Sequence, residues 1–169
     1  GHLTAHRLSS TYLIALGSNR RHHLYGPPEG VVRAAMEELA AFGTVSARSR
    51  VIPTPPLGPA RRRFANAALV LESELAPLAL LAALKRTEHE YGRRSGQRWG
   101  DRVLDLDLVL WSGGRWRSRG LVIPHPAYRA RAFVLGPARE IAGEWRDPAS
   151  GISVAQLHAR LTRRRPLPR

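Results

Sequence analysis

Two aspartates separated by one leucine lie in an alternating stretch of the chain, DLDLVLW at 105–111. In a strand, Asp105 and Asp107 would share one face with Val109, whereas the three leucines, of which Leu110 is the last, would share the other. Neighbouring carboxylates repel, so such a face needs a cation in front of it or full solvation. In phosphoryl-transfer sites Mg²⁺ is bound by one or two carboxylates and by phosphate oxygens. The pair could therefore hold two Mg²⁺ ions that bridge a polyphosphate, although for the pair taken alone a solvated edge strand is the favoured interpretation.

A loop rich in glycine and arginine precedes the acid pair. It contains Gly92, Gly96, Gly100 and Trp99, and glycines allow a loop to close over a ligand. Arginine forks bind phosphate oxygens in bidentate fashion, although for each arginine taken alone a surface charge is the favoured interpretation. Four arginines fall in this segment: Arg93, Arg94, Arg98 and Arg102. Together with the acids, they indicate a polyphosphate site.

A second group of residues suits a flat polar ring. The segment TPPLGP places Thr54 to Leu57 in a loop stiffened by proline, whose backbone groups could bind the edge of a heterocycle. An ordinary proline-rich turn is an equally good interpretation of that segment. Phe64 and Asn66 follow at a spacing of two, so an aromatic ring and an amide would flank one spot on a strand.

The elements that must position these residues follow from apolar periodicity and turn residues. They are a strand at 12–16, a helix at 28–42, a strand at 44–53, a strand at 64–73, a helix from Pro77 to Gly92 and the acid-bearing strand. This order predicts an α+β, ferredoxin-like βαββαβ sandwich, with the first and third strands central and both helices on one face. A short apolar piece LVIP follows, then a helix at 131–142 interrupted near Gly136 and Pro137, and another at 153–161, as a C-terminal helical extension.

Charge and composition narrow the class of protein. Lys and Arg number 27 against 13 Asp and Glu, which favours an anionic partner such as a nucleic acid or a polyphosphate. Cysteine is absent and no apolar run approaches the ~20 residues of a membrane span, so we expect a cytoplasmic protein with no membrane partner. We expect a lead-in at 1–10, one domain at 11–162 and a solvated basic tail at 163–169.

Several motifs occur together in one order: YLIALGSN, TPPLGP, FANAALVLE, RWGDRVLDLDLVLW and IPHPAYRARAF. In this combination the chain resembles the 6-hydroxymethyl-7,8-dihydropterin pyrophosphokinase family, as far as about Ile141. The resemblance implies transfer of pyrophosphate from ATP to the hydroxymethyl group of a reduced pterin, with release of AMP, in folate biosynthesis. It implies ATP as co-substrate and two Mg²⁺ ions as cofactors, and we expect a monomer with no nucleic-acid partner.

The resemblance also assigns roles to residues. Asp105 and Asp107 would bind the metal ions. Catalysis would use Arg93, Arg102 and Asp107, with Asp107 and a metal-bound water both open as the proton acceptor. Nucleotide contacts are implied for Arg93, Arg98, Trp99, Arg102, His125, Arg131 and Glu88. Pterin contacts are implied for Thr54, Pro56, Leu57, Phe64, Asn66 and Phe133.

The chain departs from the family pattern in its loops. GPARRR is one residue shorter than the family pattern and unusually basic. GRRSGQRWG is also one residue short, so Arg94 would match a family position only after a local shift. RRHHLYGPP is longer and more basic than a typical connection after GSN. Its adjacent histidines, His22 and His23, should point apart, so a solvated loop is favoured over a metal pair.

A different class of function is also compatible with the predicted fold, since RNA-recognition modules share the βαββαβ order and the chain is strongly basic. Such modules expose aromatic side chains on the central strands, whereas the first strand here is mainly aliphatic. An acid pair facing the ligand would also repel a phosphate backbone in the absence of metal. The RNA-binding module is therefore the alternative to the pyrophosphokinase.

Overall fold

The computed structural model describes residues 8–54, 63–94 and 103–163. A sheet and a hairpin are formed by β1 (Ser10–Ser18), β2 (Thr44–Arg48), β3 (Ile52–Thr54), β4 (Phe64–Ser73), β5 (Asp105–Trp111), β6 (Trp116–Ser118) and β7 (Leu121–Ile123). The helices are α1 (Pro28–Glu38), α2 (Pro77–Arg94), α3 (Ala132–Ala142) and α4 (Val154–Thr162). Short 3-10 helices cover Leu39–Phe42 and Tyr128–Ala130. No helix in the described ranges is long and apolar enough to cross a membrane.

The main sheet is antiparallel in every described pair, and its strands lie in the order β2-β4-β1-β5, with β3 also paired to β4. β1 and β4 are central, as the sequence predicted. Strand β5 lies at one edge beside β1, so the end of β1 adjoins the beginning of β5. This arrangement brings the GSN segment next to the acid pair.

Side chains alternate between two cores, one on each face of the sheet. Leu16 and Leu69 face α1 and α2, and Ala15 and Val70 face α3 and α4. Both of the first two helices therefore cover one face, as predicted, and the C-terminal helices cover the other. Because Asp107 is paired with Ala15, the acids lie on the α3 and α4 side.

The alternation of β5 breaks at Val109. Ile14 is paired with Leu108 and Leu13 with Leu110, so Val109 is an extra residue in β5. Past this bulge Leu110 joins Val109 in the α3 and α4 core, and the prediction that Leu110 shares the face of the other leucines is wrong. The two acids precede the bulge and keep their common face.

Several predicted elements differ from the structure: the strand predicted at 12–16 covers Ser10–Ser18, and the helix predicted at 28–42 becomes a 3-10 helix from Leu39. The strand predicted at 44–53 is divided into β2 and β3, because Ser49 bonds to the backbone of Ala68 through both its amide and its hydroxyl. The helix predicted to end at Gly92 continues to Arg94. Helix α3 continues through Pro137, which is buried in the packed face of the helix, where packing outweighs one lost hydrogen bond. A hairpin, β6 and β7, includes most of the short apolar piece.

The histidine-containing loop after β1 is not solvated throughout. His22 is fully buried, and its ring stacks on that of His23 with centroids 4.8 Å apart. It also stacks on Tyr25, and its Nδ1 accepts a hydrogen bond from the Leu24 amide. The prediction of a solvated loop with diverging histidines is therefore wrong for His22, because aromatic packing holds the two rings together.

Candidate active site

An open cavity of about 740 Å³ lies on the α3 and α4 face, where β1 ends and β5 begins. Cross-strand pairing places Asp105 opposite Gly17, and Gly17 opposite Asn66. The cavity is lined by these three residues and by Ala15, Leu16, Ser18, Asn19, Arg20, Thr54, Phe64, Asp107, Arg131, Phe133 and Val134. Residues predicted for phosphate and for pterin binding thus line one cavity.

Gly17 leaves room for the Asn66 side chain in this row. A Cβ at Gly17 would lie 3.0 Å from Asn66 Oδ1, which is tighter than an ordinary contact. Glycine here keeps the amide of Asn66 close to the sheet between the acids and β3. The amide offers both donors and an acceptor to the cavity.

The acid strand is fixed from both sides. Asp105 and Asp107 are half-buried, and the leucine between them is buried in the α1 and α2 core. The amide of that leucine, Leu106, donates to Glu88 Oε2 at 2.8 Å, and the other carboxylate oxygen of Glu88 lies 3.8 Å from Lys85 Nζ. Glu88 does not line the cavity, and it secures the outer edge of β5 between the acids.

The other end of the cavity is aromatic. Phe64 and Phe133 are about half-exposed, at 45% and 51%, although they are large apolar side chains. Phe64 is paired with Thr54 across β3 and β4, and Phe133 begins α3 on the adjoining segment. Exposed flat rings beside an amide provide the stacking surfaces and the polar edge that a planar heterocycle needs.

Two arginines, Arg20 and Arg131, are among the described residues that line the cavity. The Arg131 guanidinium carbon lies 5.7 Å from the centre of the Phe133 ring, within the range of a cation–π contact. Arg93 is not a lining residue: its side chain is 68% exposed and lies 3.8 Å from Glu90 on α2. The counter-charges that the acids required therefore include an arginine after β1.

The segment that carries Arg131 is held by an ion pair between a partly exposed arginine and a buried aspartate. Arg129 donates through Nε and Nη2 to the fully buried Asp147, the second bond at 2.9 Å. The hydrogen bond from Arg129 is the main reason that the pKa of Asp147 is lowered to about 2. Burial, followed by the charge of Asp147, raises the pKa of Tyr128 above its ordinary value. This pair fixes the short 3-10 helix directly before Arg131.

The remaining predicted residues divide into two groups. The amide of His125 donates to the carbonyl of the bulged Val109 at 3.0 Å, so His125 lies beside β5 but does not line the cavity. Its Nδ1 accepts from the Ala127 amide. The predicted residues outside the described ranges are Pro56, Leu57, Arg98, Trp99 and Arg102, and the side chain of Arg94 also lies outside them.

The donor set at the acid end fits magnesium that is shared with a polyphosphate. Within the described residues no three His, Cys, Asp or Glu side chains group as a complete metal site. Two carboxylates on one face of β5 leave the remaining coordination positions to phosphate oxygens and water, which is how Mg²⁺ is usually bound beside nucleotides. The residues present therefore suit a metal ion that arrives with its substrate.

Sequence reasoning missed Ser18, Asn19 and Arg20 as lining residues, since GSN was interpreted only as a turn. A signal was available in the predicted topology. A first strand beside an antiparallel strand that begins with the acids must end next to them. Whatever follows GSN was therefore a candidate for the site.

Comparison with known proteins identifies the family. The model of the 7,8-dihydro-6-hydroxymethylpterin-pyrophosphokinase (HPPK) family matches residues 13–143. A 2-amino-4-hydroxy-6-hydroxymethyldihydropteridine pyrophosphokinase of Pseudomonas aeruginosa is 39% identical over 141 residues, covering 80% of this chain and 82% of its own. Its counterpart from Haemophilus influenzae is 37% identical over 145 residues, covering 84% of this chain and 88% of its own.

Solved structures show the same fold. A wild-type Plasmodium falciparum HPPK-DHPS superposes with a TM-score of 0.70 at 11% identity, over 90% of this chain and 44% of the longer one. The chain is thus similar to less than half of that protein. The RNA-binding alternative is not favoured by these matches. The family match over most of the chain and the identity to relatives that are covered over most of their length place this protein in the 7,8-dihydro-6-hydroxymethylpterin-pyrophosphokinase family.

Proposed function

We propose that the cavity between β1, β4, β5 and α3 is where this chain carries out the activity of its family. That activity is transfer of a pyrophosphoryl group from ATP to the hydroxymethyl group of 6-hydroxymethyl-7,8-dihydropterin, with release of AMP, in folate biosynthesis. The observation that carries the proposal is that two strand carboxylates, two arginines, the Asn66 amide and two exposed aromatic rings line a single cavity.

The pterin would bind at the aromatic end. Phe64 and Phe133 supply flat, half-exposed surfaces, and stacking on such rings is favourable for a planar heterocycle. Asn66 presents donors and an acceptor next to them, which matches the alternating edge of a pterin. Thr54 lies at the rim, and Pro56 and Leu57 continue that segment as predicted backbone contacts. In this proposal the hydroxymethyl group points towards β5, where the acids lie.

The triphosphate would bind at the acid end. Asp105 and Asp107 would hold two Mg²⁺ ions, which when bound neutralise phosphate charge and orient the β-phosphorus. Arg131 would contact phosphate from the α3 side. Arg93, Arg98, Arg102 and Trp99 remain predicted contacts of the closing loop, and His125 a predicted contact of the nucleotide beside β5.

Catalysis by these residues would rest on positioning. The aromatic rings and Asn66 hold the pterin hydroxyl, and the carboxylates and arginines hold the phosphates, so that the hydroxyl attacks in line as AMP leaves. Among the described lining residues, Asp105 and Asp107 are the carboxylates available to take the hydroxyl proton. Exclusion of water by a closed loop would favour transfer over hydrolysis.

Three further features belong to the proposal. The strand order β5-β1-β4-β2 with helices on one face supports a ferredoxin-like description of the sheet and its first two helices. A monomeric state is also part of the proposal, as expected from the sequence. A cytoplasmic setting remains a prediction that rests on the absence of cysteine.

AMP production tests the proposed function. We expect purified protein with ATP, Mg²⁺ and the reduced hydroxymethylpterin to form AMP and pterin diphosphate in equal amounts. Asp107→Asn keeps the shape and removes the charge, so kcat should fall by about a thousandfold or more. The matched control is Glu74→Gln, which removes one negative charge from an exposed side chain. Absence of AMP from the wild type, or full activity in Asp107→Asn, would contradict the proposal.

A further inference from the structure

Arg20 is a cavity residue that neither its sequence motif nor the family match assigns. It follows β1 in the segment GSNR and lines the cavity together with Asp105 and Asp107. Arg20 is partly buried, whereas the next residue, Arg21, is exposed. The two arginines thus differ in environment while sharing a loop.

The backbone of Arg20 is held by one buried side chain. Ser18 is 5% exposed, and its Oγ lies 3.4 Å from the amide nitrogen of Arg20 and 3.3 Å from its carbonyl oxygen. The Ser18 hydroxyl accepts from the first group and donates to the second. This turn fixes where the Arg20 side chain starts, two residues beyond the end of the register with β4.

The sheet register places that turn beside the acids. Gly17 is paired with Asp105 on one side and Asn66 on the other. Arg20 therefore follows the part of β1 that lies between Asp105 and Asn66. Arg131 reaches the cavity from another direction, with its guanidinium near the Phe133 ring.

The described lining residues carry no net charge, because they include two carboxylates and two guanidinium groups. An anionic ligand meets no net attraction from such a set unless cations cover the carboxylates. Once they do, both arginines face a polyphosphate, and a guanidinium fork matches phosphate oxygens in bidentate geometry. A phosphate group placed between the two aspartates and the two phenylalanine rings would lie in the cavity that Arg20 lines.

We propose that Arg20 binds the pyrophosphoryl group that is transferred, first as the terminal phosphates of ATP and then as the diphosphate of the pterin product. The inference rests on the proposed function and adds a substrate-binding residue to it. In the proposed reaction the two terminal phosphates of ATP are bound by the metal ions before transfer and are attached to the pterin after it. AMP, in contrast, leaves the cavity. Arg20 thus contributes to affinity for the product and leaves affinity for the unphosphorylated pterin unchanged.

Calorimetry in the presence of Mg²⁺ tests this role, with the pterin diphosphate and the hydroxymethylpterin as the two ligands whose binding is measured. We expect Arg20→Ala to weaken binding of the diphosphate by about tenfold or more and to change binding of the hydroxymethylpterin less than about twofold. Arg20→Lys, which keeps the charge without the fork, should lie between the two. Arg21→Ala removes the same charge from the same loop and should bind both ligands as the wild type does.

The outcomes separate this inference from the proposed function. A wild type that forms no AMP and binds no pterin diphosphate would contradict the proposed function itself. An active wild type with Arg20→Ala equal to Arg21→Ala would overturn only the role of Arg20. Equal loss of both ligands in Arg20→Ala would assign the residue to the structure of the turn and would also overturn the proposal.

Discussion

The acids and the arginines that line the cavity are held by different kinds of structure. Asp105 and Asp107 lie on a strand whose alternate residues are buried in a core and whose outer edge is bonded to Glu88. Arg20 and Arg131 lie at turns, one after β1 and one before α3. Strand pairing therefore fixes the two carboxylates, and local hydrogen bonds in turns fix the two arginines.

This difference has a functional consequence. Carboxylates that bind metal ions must converge within a few tenths of an ångström, which a paired strand can provide. Arginines that follow phosphates through a reaction tolerate more adjustment, since their side chains are long and their charge acts over distance. Changes at the strand should therefore lower the rate more than changes at the turns.

The largest effect among supporting residues is expected at Glu88. Glu88→Ala removes the acceptor for the Leu106 amide between the two acids, and loss of such outer support typically costs about 10- to 100-fold in metal affinity or activity. Glu88→Gln keeps an acceptor and should retain most activity. Amide hydrogen exchange of Leu106 without ligands should accelerate in Glu88→Ala alone.

A control for Glu88 lies just before the same helix. Glu74 is exposed, and Glu74→Ala removes the same charge at the opposite end of the sheet from the acids. If Glu88 binds nucleotide rather than supporting the strand, Glu88→Ala would weaken ATP binding while Leu106 exchange stayed at the wild-type rate. That result would contradict the assignment of Glu88 to the strand.

A smaller effect is expected at Gly17, where the two ends of the cavity meet. Gly17→Ala puts a Cβ 3.0 Å from Asn66 Oδ1, so the amide must shift and pterin affinity should fall by about tenfold. Gly136→Ala is the matched control, because its Cβ would meet only an ordinary contact at 3.7 Å. Unchanged pterin affinity in Gly17→Ala, measured by calorimetry, would argue against Asn66 as a pterin contact.

The smallest effect on the rate is expected at the ion pair behind Arg131. The pKa of Asp147 is lowered to about 2, below its unfolded value, so its contribution to stability is present above about pH 4 and is lost as pH falls towards 2. We expect Asp147→Asn to lower the free energy of unfolding at pH 7 by ~1 to 2 kcal/mol, since screening at the 37% exposed Arg129 reduces the full effect.

Denaturant unfolding at several pH values checks this sign. The difference in stability between wild type and Asp147→Asn should narrow between about pH 4 and pH 2, while kcat at pH 7 changes by less than about threefold. A stability difference that stays constant down to pH 2 would show that the Asp147 carboxylate does not contribute through its charge.

Strand periodicity explains why part of the site was predictable. The alternation of the sequence placed Asp105 with Asp107, and Phe64 with Asn66, on common faces, and the structure confirms both placements. Which faces and strands meet depends on pairing between segments far apart in the chain. The structure supplies that pairing: Gly17 of β1 lies between Asp105 and Asn66, which brings Asn66 near the acids.

Other features depend on contacts that no local pattern encodes. The bulge at Val109 follows from the pairing of β1 with β5, and it turns Leu110 to the other core. Phe133 and Arg131 were predicted only through the family resemblance, because they reach the cavity on a segment positioned by Arg129 and Asp147. Arg20 was missed because its neighbours were interpreted as a turn without regard to what the turn adjoins.

The central claim is that the acid end and the pterin end form one site, and paramagnetic broadening of backbone amides tests it most directly. With Mn²⁺ and a nonhydrolysable ATP analogue, we expect the amides of Asp107, Gly17 and Asn66 to broaden, because their strands are adjacent in register. The amide of Leu161 at the end of α4 should stay sharp, and Asp107→Asn should reduce the broadening. Broadening around His22 and His23, with Gly17 and Asn66 unaffected, would contradict the account.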